Sequence, residues 1–153
     1  MFRQLMNLLA LPTPERPPPQ DLRVAVSMLL IEAACRDDVF GPEERAVIAQ
    51  LLTEKFSLSK EECANLLKSA EAASANVVQI HPYTRAVFEQ MTPDERVNLI
   101  EMLWEVVYAD GVLDPEEDAL IRRLGALIYV TDRDRVLARQ RVLARLRTRS
   151  EGS

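Results

Sequence analysis

The amino-acid sequence predicts an all-α fold, a compact bundle of about seven helices arranged around a duplicated helix-turn-helix unit. Three observations support this fold class. Several segments begin with a capping residue followed by acids, which is typical of helix N-termini. Segment 21–52 recurs at 94–125. The chain has only four glycines in 153 residues and no sustained alternation of apolar residues with period two, so the pattern disfavours sheets.

The N-terminal region is expected to lie outside the helical domain. Residues 1–20 comprise a short amphipathic arm and a segment, 12–19, that holds five of the nine prolines. Such a segment favours a stiff, extended linker. We therefore expect a helical domain over 21–148 and a disordered tail over 149–153.

The helix start signals define the elements of the domain. Segments 92–95 and 114–117 each place a capping residue, then proline at the first helical position, then an acid at the third. Ser59 and Thr131 start helices by the same logic without proline, and Gly41 serves as a cap. We predict helices over 21–37, 42–56, 60–73, 77–91, 93–109, 115–129 and 132–147.

The repeat is the most informative feature of the sequence. A shift of 73 residues aligns 21–52 with 94–125 without a gap, and 13 of these 32 positions are identical. Each copy reads as helix, short turn and helix, which predicts a pseudo-twofold pair of helical hairpins. The first helix of each copy is apolar on nearly every face, so we expect both helices at the centre of the fold.

The end of that central helix carries a family resemblance. Residues 105–117 read Glu-Val-Val-Tyr-Ala-Asp-Gly-Val-Leu-Asp-Pro-Glu-Glu. This segment resembles the TerB-like family linked to bacterial tellurite resistance, whose recurring motif is an Ala-Asp-Gly turn followed by an acidic helix start. The first copy, 32–44, departs from the motif because Arg36-Asp37-Asp38 replaces Ala-Asp-Gly. The resemblance covers residues 21–145.

The resemblance implies an all-helical fold, no known catalytic activity and a suspected acidic metal-binding surface. It also implies an association with tellurite or metal resistance, or with a stress response. Related domains occur in membrane-anchored J-domain co-chaperones, which suggests an unidentified protein partner at a membrane-associated complex. Whether the chain forms a homodimer is left open.

Acidic residues at the two turns suggest a cation site. Asp37 and Asp110 are predicted at the C-terminal ends of their helices, where the helix dipole disfavours an acid by about 0.3–1 kcal/mol. Because both copies place an acid at this unfavourable position, a compensating partner is expected. A hard cation such as Ca²⁺ or Mg²⁺ prefers these oxygen ligands. The predicted metal ligands are Asp37 and Asp110, supported by Glu44, Glu117, Glu32 and Glu105.

The same residues have an explanation without a metal. Asp110 would accept backbone N–H groups of its turn, and Glu117 would complete a capping box with Asp114. Glu32 would pair with Arg36 at i+4. Glu105 shares a helical stripe with Asp94, Asn98 and Glu101, which fits a solvent-exposed edge. Both explanations remain open from the sequence.

Charge is unevenly distributed along the chain. The net charge is −5, but residues 131–149 contain seven arginines and two aspartates. An acidic body disfavours phosphate backbones, and the basic segment lacks aromatic residues for stacking on bases, so nucleic acid is not expected as a partner. Arg135, Arg139 and Arg145 fall near one helical face. This helix is either solvated or a surface for an acidic partner, an anionic membrane or nucleic acid.

Catalytic motifs are missing. The single histidine, His81, has no accompanying nucleophile motif, and the sequence has no phosphate-binding loop or zinc pattern. Cys35 and Cys63 lie in apolar helical segments and are expected to be reduced core thiols. No segment reaches the length of about 20 apolar residues that a membrane helix needs, and the N-terminus lacks a signal-peptide cleavage site. We expect a soluble cytoplasmic protein that is not an enzyme.

The sequence therefore predicts a non-catalytic, TerB-like binding module that holds a divalent cation at its duplicated acidic turns. The alternative is a structural protein–protein interaction module, similar to a co-chaperone, with no metal.

Overall fold

The computed structural model describes residues 21–35, 41–75, 81–110 and 115–151. Within these ranges the chain forms seven α-helices, one short 3-10 turn and no strand, which confirms the predicted all-α class. The helices are α1 (Leu22–Ala34), α2 (Pro42–Phe56), α3 (Lys60–Ala75), α4 (His81–Gln90), α5 (Pro93–Val107), α6 (Pro115–Leu127) and α7 (Asp132–Glu151). The 3-10 turn, Tyr108–Asp110, follows α5 directly.

Reciprocal capping boxes start α3 and α5 as predicted. The Ser59 hydroxyl accepts the Glu62 amide at 3.1 Å, and the Glu62 carboxylate accepts the Ser59 amide at 3.0 Å. Thr92 and Glu95 repeat this arrangement at 3.2 and 3.0 Å. Hydrogen bonds from the Ser59 backbone and side chain lower the pKa of Glu62, and those from Thr92 lower the pKa of Glu95. Each box satisfies helix N–H groups that would otherwise have no partner.

Two equivalent left-handed residues end α2 and α6. Ser57 has φ 53° and Tyr129 has φ 60°. The amide after each of them donates to the carbonyl oxygen five residues upstream, at 3.1 Å in α2 and 2.8 Å in α6. This closure is a Schellman motif, which usually employs glycine. The sequence prediction extended α6 to 129 because a tyrosine gives no signal of such an ending.

Other helix ends also differ from the predicted bounds. α1 ends at Ala34 rather than at 37, and the Cys35 amide closes its last turn on the Ile31 carbonyl oxygen at 2.9 Å. α5 narrows into the 3-10 turn where a continuous helix to 109 was predicted. α7 continues to Glu151, past the predicted end at 147 and into the expected tail. The basic residues of its last turns favour this extension because they oppose the helix dipole.

The duplication extends beyond the helix-turn-helix unit to three helices. α3 packs along α1, and α7 packs along α5 in the same manner. α1 and α5 also contact each other, which joins the two three-helix units, while α4 connects the units and packs on α1 and α6. Ser59 and Thr131, the caps of the third helices, are 72 residues apart. The predicted pseudo-twofold architecture is therefore present, with a larger repeating unit than the sequence identities showed.

The two first helices form the centre of the core, as predicted. α1 has a continuous buried run from Ala25 to Ile31, and α5 buries eight of its fifteen residues. The single tryptophan, Trp104, is 1% exposed on α5. Burial of each large apolar side chain contributes about 1.5–3 kcal/mol relative to leaving it in water. These helices position both acidic turns, because each turn follows one of them.

The capping box of α5 gives a testable stability prediction. We expect Thr92→Ala to lower the free energy of unfolding by about 1 kcal/mol, because the amide of Glu95 loses its acceptor. Urea denaturation followed by Trp104 fluorescence measures the change. Ser69→Ala, an exposed position within α3, is the matched control and should change stability by less than about 0.5 kcal/mol. An equal effect of both substitutions would contradict the role of the cap.

The lowered pKa of Glu95 predicts how this contribution depends on pH. The ordinary pKa of a glutamate is about 4.5, and the folded-state pKa of Glu95 is lower, so the folded state favours the carboxylate. The stabilisation is complete above about pH 4.5 and is lost as the pH falls through the lower folded pKa. We expect the difference in unfolding free energy between wild type and Glu95→Ala to shrink between pH 7 and pH 3. A difference that stays constant or grows on acidification would contradict the assignment.

Candidate acidic turns and the clefts beside them

The two aspartates proposed as primary ligands lie at the edge of the described chain. Asp110 closes the 3-10 turn after α5, so its predicted position at the end of this helix is confirmed. The amide of Tyr108 caps the last turn of α5 by donating to the carbonyl oxygens of Trp104 and Val106. The side chain of Asp110 and the whole of Asp37 lie outside the described residues.

The glutamates at the start of the second helices lie against the protein. Gly41 caps α2 in an extended conformation, without a side-chain hydrogen bond. The carboxylate of Glu44 lies so close to Gly41 that a Cβ atom at this position would collide with it. In α6 the equivalent Glu117 is only 6% exposed, which is unusual for a glutamate in a first helical turn. Both side chains therefore fold back against the protein rather than extending into solvent.

The glutamates on the first helices differ between the two repeats. Glu32 on α1 is exposed, and no hydrogen bond or ion pair joins it to another residue in the described ranges. The side chain of Glu105 on α5 is only 11% exposed and accepts hydrogen bonds from Arg145. Equivalent positions in the sequence thus have different electrostatic environments.

Arginines of α7 form a clamp over the acidic stripe of α5. Arg145 donates to Glu101 at 2.6 Å and to Glu105 at 3.0 Å. Arg141 approaches Glu101 at 3.6 Å, and Arg149 lies 4.0 Å from Glu105. We call this set the arginine clamp. In the stripe that the sequence suggested as a solvent edge, Asp94 and Asn98 are exposed, whereas Glu101 and Glu105 are covered by the C-terminal helix.

The clamp favours the charged form of Arg145. Partial burial alone would lower the pKa of Arg145, but hydrogen bonds to Glu101 and then Glu105 outweigh it and raise the pKa above its usual value. Arg139 extends the contact by donating to the Tyr108 hydroxyl at 2.8 Å. Its guanidinium also lies 5.4 Å from the ring centroid of Trp104. α7 is thus fixed to the end of α5 that leads into the second acidic turn.

Two equivalent clefts lie where the first helix of one repeat meets the second helix of the other. Cleft A, between α1 and α6, has a volume of about 480 Å³. Cleft B, between the end of α5 and α2, has a volume of about 190 Å³. Cleft A is lined by Glu32, Cys35, Glu116, Glu117, Leu120 and Arg123, among others. Cleft B is lined by Val47, Gln50, Glu105, Tyr108, Leu146 and Arg149, among others.

Cleft A brings together predicted ligands from different repeats. Glu32 of the first copy shares cleft A with Glu117 of the second, rather than with Glu44 of its own copy. In the described ranges no three His, Cys, Asp or Glu side chains are grouped closely enough to hold a metal ion. A cation site at the turns would need carboxylates outside the described residues, such as the side chains of Asp37 and Asp110, and the six-residue ligand set stays a prediction.

The remaining candidate residues are the single histidine and the two cysteines. His81 begins α4, and its side chain lies outside the described residues. Cys63 is buried and its thiol donates to the Ala49 carbonyl oxygen at 3.5 Å, while Cys35 is half-buried, and neither cysteine forms a disulfide. Among the described helices, none is long and apolar enough to cross a membrane.

Sequence reasoning missed the arginine clamp although both of its halves were visible. The stripe that contains Glu101 and Glu105 and the basic face that contains Arg145 were each identified. The missing signal was the pairing of α7 with α5, because neither helix specifies its neighbour. The matching caps Ser59 and Thr131 would have indicated it, since they make α7 the counterpart of α3.

The clamp predicts a specific loss of stability. In Arg145→Met, Glu101 and Glu105 would remain largely buried without their main donor. We expect the free energy of unfolding to fall by about 1–2 kcal/mol, a value kept modest because Arg145 itself is 41% exposed. Urea denaturation monitored by Trp104 fluorescence gives the value.

Arg147→Met is the matched control, because Arg147 is exposed on the same helix. It should change stability by less than about 0.5 kcal/mol. Adding Glu105→Gln to Arg145→Met should recover part of the loss, since one uncompensated charge is removed. Equal effects of Arg145→Met and Arg147→Met would show that the clamp contributes nothing.

Comparisons with known proteins support the family resemblance. The model of the family described as tellurite resistance protein TerB matches residues 23–140, which is most of the chain. The match includes the acidic turns, the described lining of cleft A and the first turns of α7. No curated protein and no solved structure matched the chain. The extent of the family match, together with the duplicated all-α architecture, shows that this chain belongs to the TerB family of tellurite resistance proteins.

Proposed function

We propose that this protein is a non-catalytic binding module of a tellurite or metal resistance response, and that it holds a divalent cation at each acidic turn. Family membership supports the cellular context. The geometric support comes from Glu44 and Glu117, whose side chains fold back at the starts of α2 and α6.

Electrostatics explains why a cation would suit these turns. The last carbonyl groups of α1 and α5 present partial negative charge, and Asp37 and Asp110 add full charges nearby. Ca²⁺ and Mg²⁺ bind carboxylate and carbonyl oxygens, so either ion would relieve this repulsion. We give Glu105 no ligand role in the proposal because Arg145 already neutralises it, and Glu32 is not required.

An interaction module remains the second candidate, and a surface feature favours it. The exposed rings of Phe88 and Tyr129 pack together with centroids 4.6 Å apart. Tyr129 is 72% exposed and occupies a left-handed backbone position that glycine would adopt with less strain. In the first repeat the equivalent position holds Ser57, so the repeat does not require an aromatic residue there. An exposed aromatic pair at a strained position is typical of a binding surface.

Calorimetric titration tests the cation proposal. We expect Ca²⁺ or Mg²⁺ to bind the wild-type chain with measurable heat and the Asp37→Asn/Asp110→Asn variant with at least tenfold lower affinity, equivalent to about 1.4 kcal/mol. Asp94→Asn/Asp134→Asn removes the same charge from two helix starts and should leave the binding unchanged. The cation proposal fails if the wild type gives no heat or if the two double variants behave alike.

Gly41→Ala tests the contribution of Glu44 at the first turn. An alanine Cβ would displace the Glu44 carboxylate from its position against Gly41. Because this carboxylate is the end of a flexible side chain and Gly41 has an ordinary φ of −73°, the stability loss should be about 1 kcal/mol or less. We expect weaker cation binding at one of two sites in the same titration. Unchanged affinity at both sites would remove Glu44 from the ligand set.

A further inference from the structure

Cleft A and cleft B are equivalent in the duplicated fold, but among the described residues only cleft B receives an arginine from a third helix. Glu105 in cleft B accepts hydrogen bonds from Arg145, and Arg149 lies 4.0 Å from it. Glu32, its counterpart in cleft A, has no such partner among the described residues. The same glutamate position therefore binds a guanidinium in one repeat and remains accessible in the other.

The third helices explain this difference. Cys63 on α3 and Arg135 on α7 are both buried and lie 72 positions apart, as are Ala70 and Val142. The same offset places Ala73 of α3 where α7 has Arg145. α3 thus packs on α1 as α7 packs on α5, but it offers no cation to Glu32.

The linings of the clefts agree with this register. Leu146 and Arg149 of α7 line cleft B. Among the described residues, none of α3 lines cleft A, whose volume is about 480 Å³. This volume has room for one or two long side chains but not for a whole helix.

The chemistry of cleft A is suited to a basic group. Among the described residues of its lining are three acids, Glu32, Glu116 and Glu117, and one base, Arg123. Leu120 and neighbouring alanines supply an apolar part of the wall. An arginine side chain matches this combination because its stem packs on apolar surface while its guanidinium pairs with carboxylates.

We propose that cleft A is the docking site for a basic helix of a protein partner, which inserts an arginine against Glu32 as α7 does against Glu105. The partner helix would carry the pattern of α7, two arginines four positions apart with an adjacent leucine. This site is distinct from the cation at the acidic turns and does not depend on it. Glu32 would be the residue that recognises the arginine of the partner.

A labelled synthetic peptide with the sequence of residues 138–151 provides the probe. It reproduces the α7 pattern, and its binding to the full-length chain can be measured by fluorescence anisotropy in the presence of a metal chelator. We expect saturable binding to the wild type. Glu32→Gln should weaken it about tenfold, in keeping with the loss of one charge-assisted pair. A peptide with glutamine in place of the arginines at 145 and 149 should not bind.

Two control variants decide between this site and its alternatives. Glu61→Gln removes an exposed charge from α3, outside the lining of cleft A, and should leave the affinity unchanged. Glu105→Gln tests whether the peptide instead displaces α7 from cleft B. No binding to the wild type, equal weakening by Glu32→Gln and Glu61→Gln, or weakening by Glu105→Gln alone would each overturn the proposal. Cation titration of Glu32→Gln should match the wild type, which keeps this test separate from that of the acidic turns.

Discussion

Two helices that are apolar on nearly every face, α1 and α5, constrain the rest of the structure. Neither can bury its surface against a single neighbour, so each is enclosed by the other helices of the bundle and contacts its counterpart. Polar residues occur on these two helices only where the side chain reaches a partner or solvent. The acidic turns and both clefts occupy the ends of these helices, where the chain leaves the core.

The duplication places acidic side chains at equivalent positions of the two repeats. The chain compensates these charges differently in its two halves. In the second half α7 supplies Arg145 to Glu105 and Glu101 and fixes the C-terminal helix to the core. In the first half α3 has Ala73 at the corresponding position, and Glu32 faces an open cleft. This asymmetry gives one repeat a structural role and leaves the other accessible to a ligand. It also makes the arginine-rich segment a part of the fold rather than a free basic tail.

The sequence was sufficient to predict much of this architecture because local signals are strong. Caps at Ser59, Thr92 and Thr131 begin helices where they were expected. Helix ends were harder to predict, since Ser57 and Tyr129 adopt the left-handed conformation without the glycine that normally indicates it. The pairing of helices could not be predicted from the sequence, because the assembled core determines which helix packs against an amphipathic face. This is why Glu105 was expected at a solvent edge and lies under Arg145, and why Glu32 and Glu117 were not expected in one cleft.

The central functional claim is that a cation binds beside Asp110, and terbium luminescence tests it most directly. Tb³⁺ substitutes for Ca²⁺ and emits when excited through a nearby aromatic ring. Tyr108 lies two residues before Asp110, and its ring stacks on Trp104 with centroids 5.9 Å apart. The account predicts sensitised Tb³⁺ emission that excess Ca²⁺ displaces and that Asp110→Asn abolishes. Absence of sensitised emission, or emission that persists in Asp110→Asn, would contradict it.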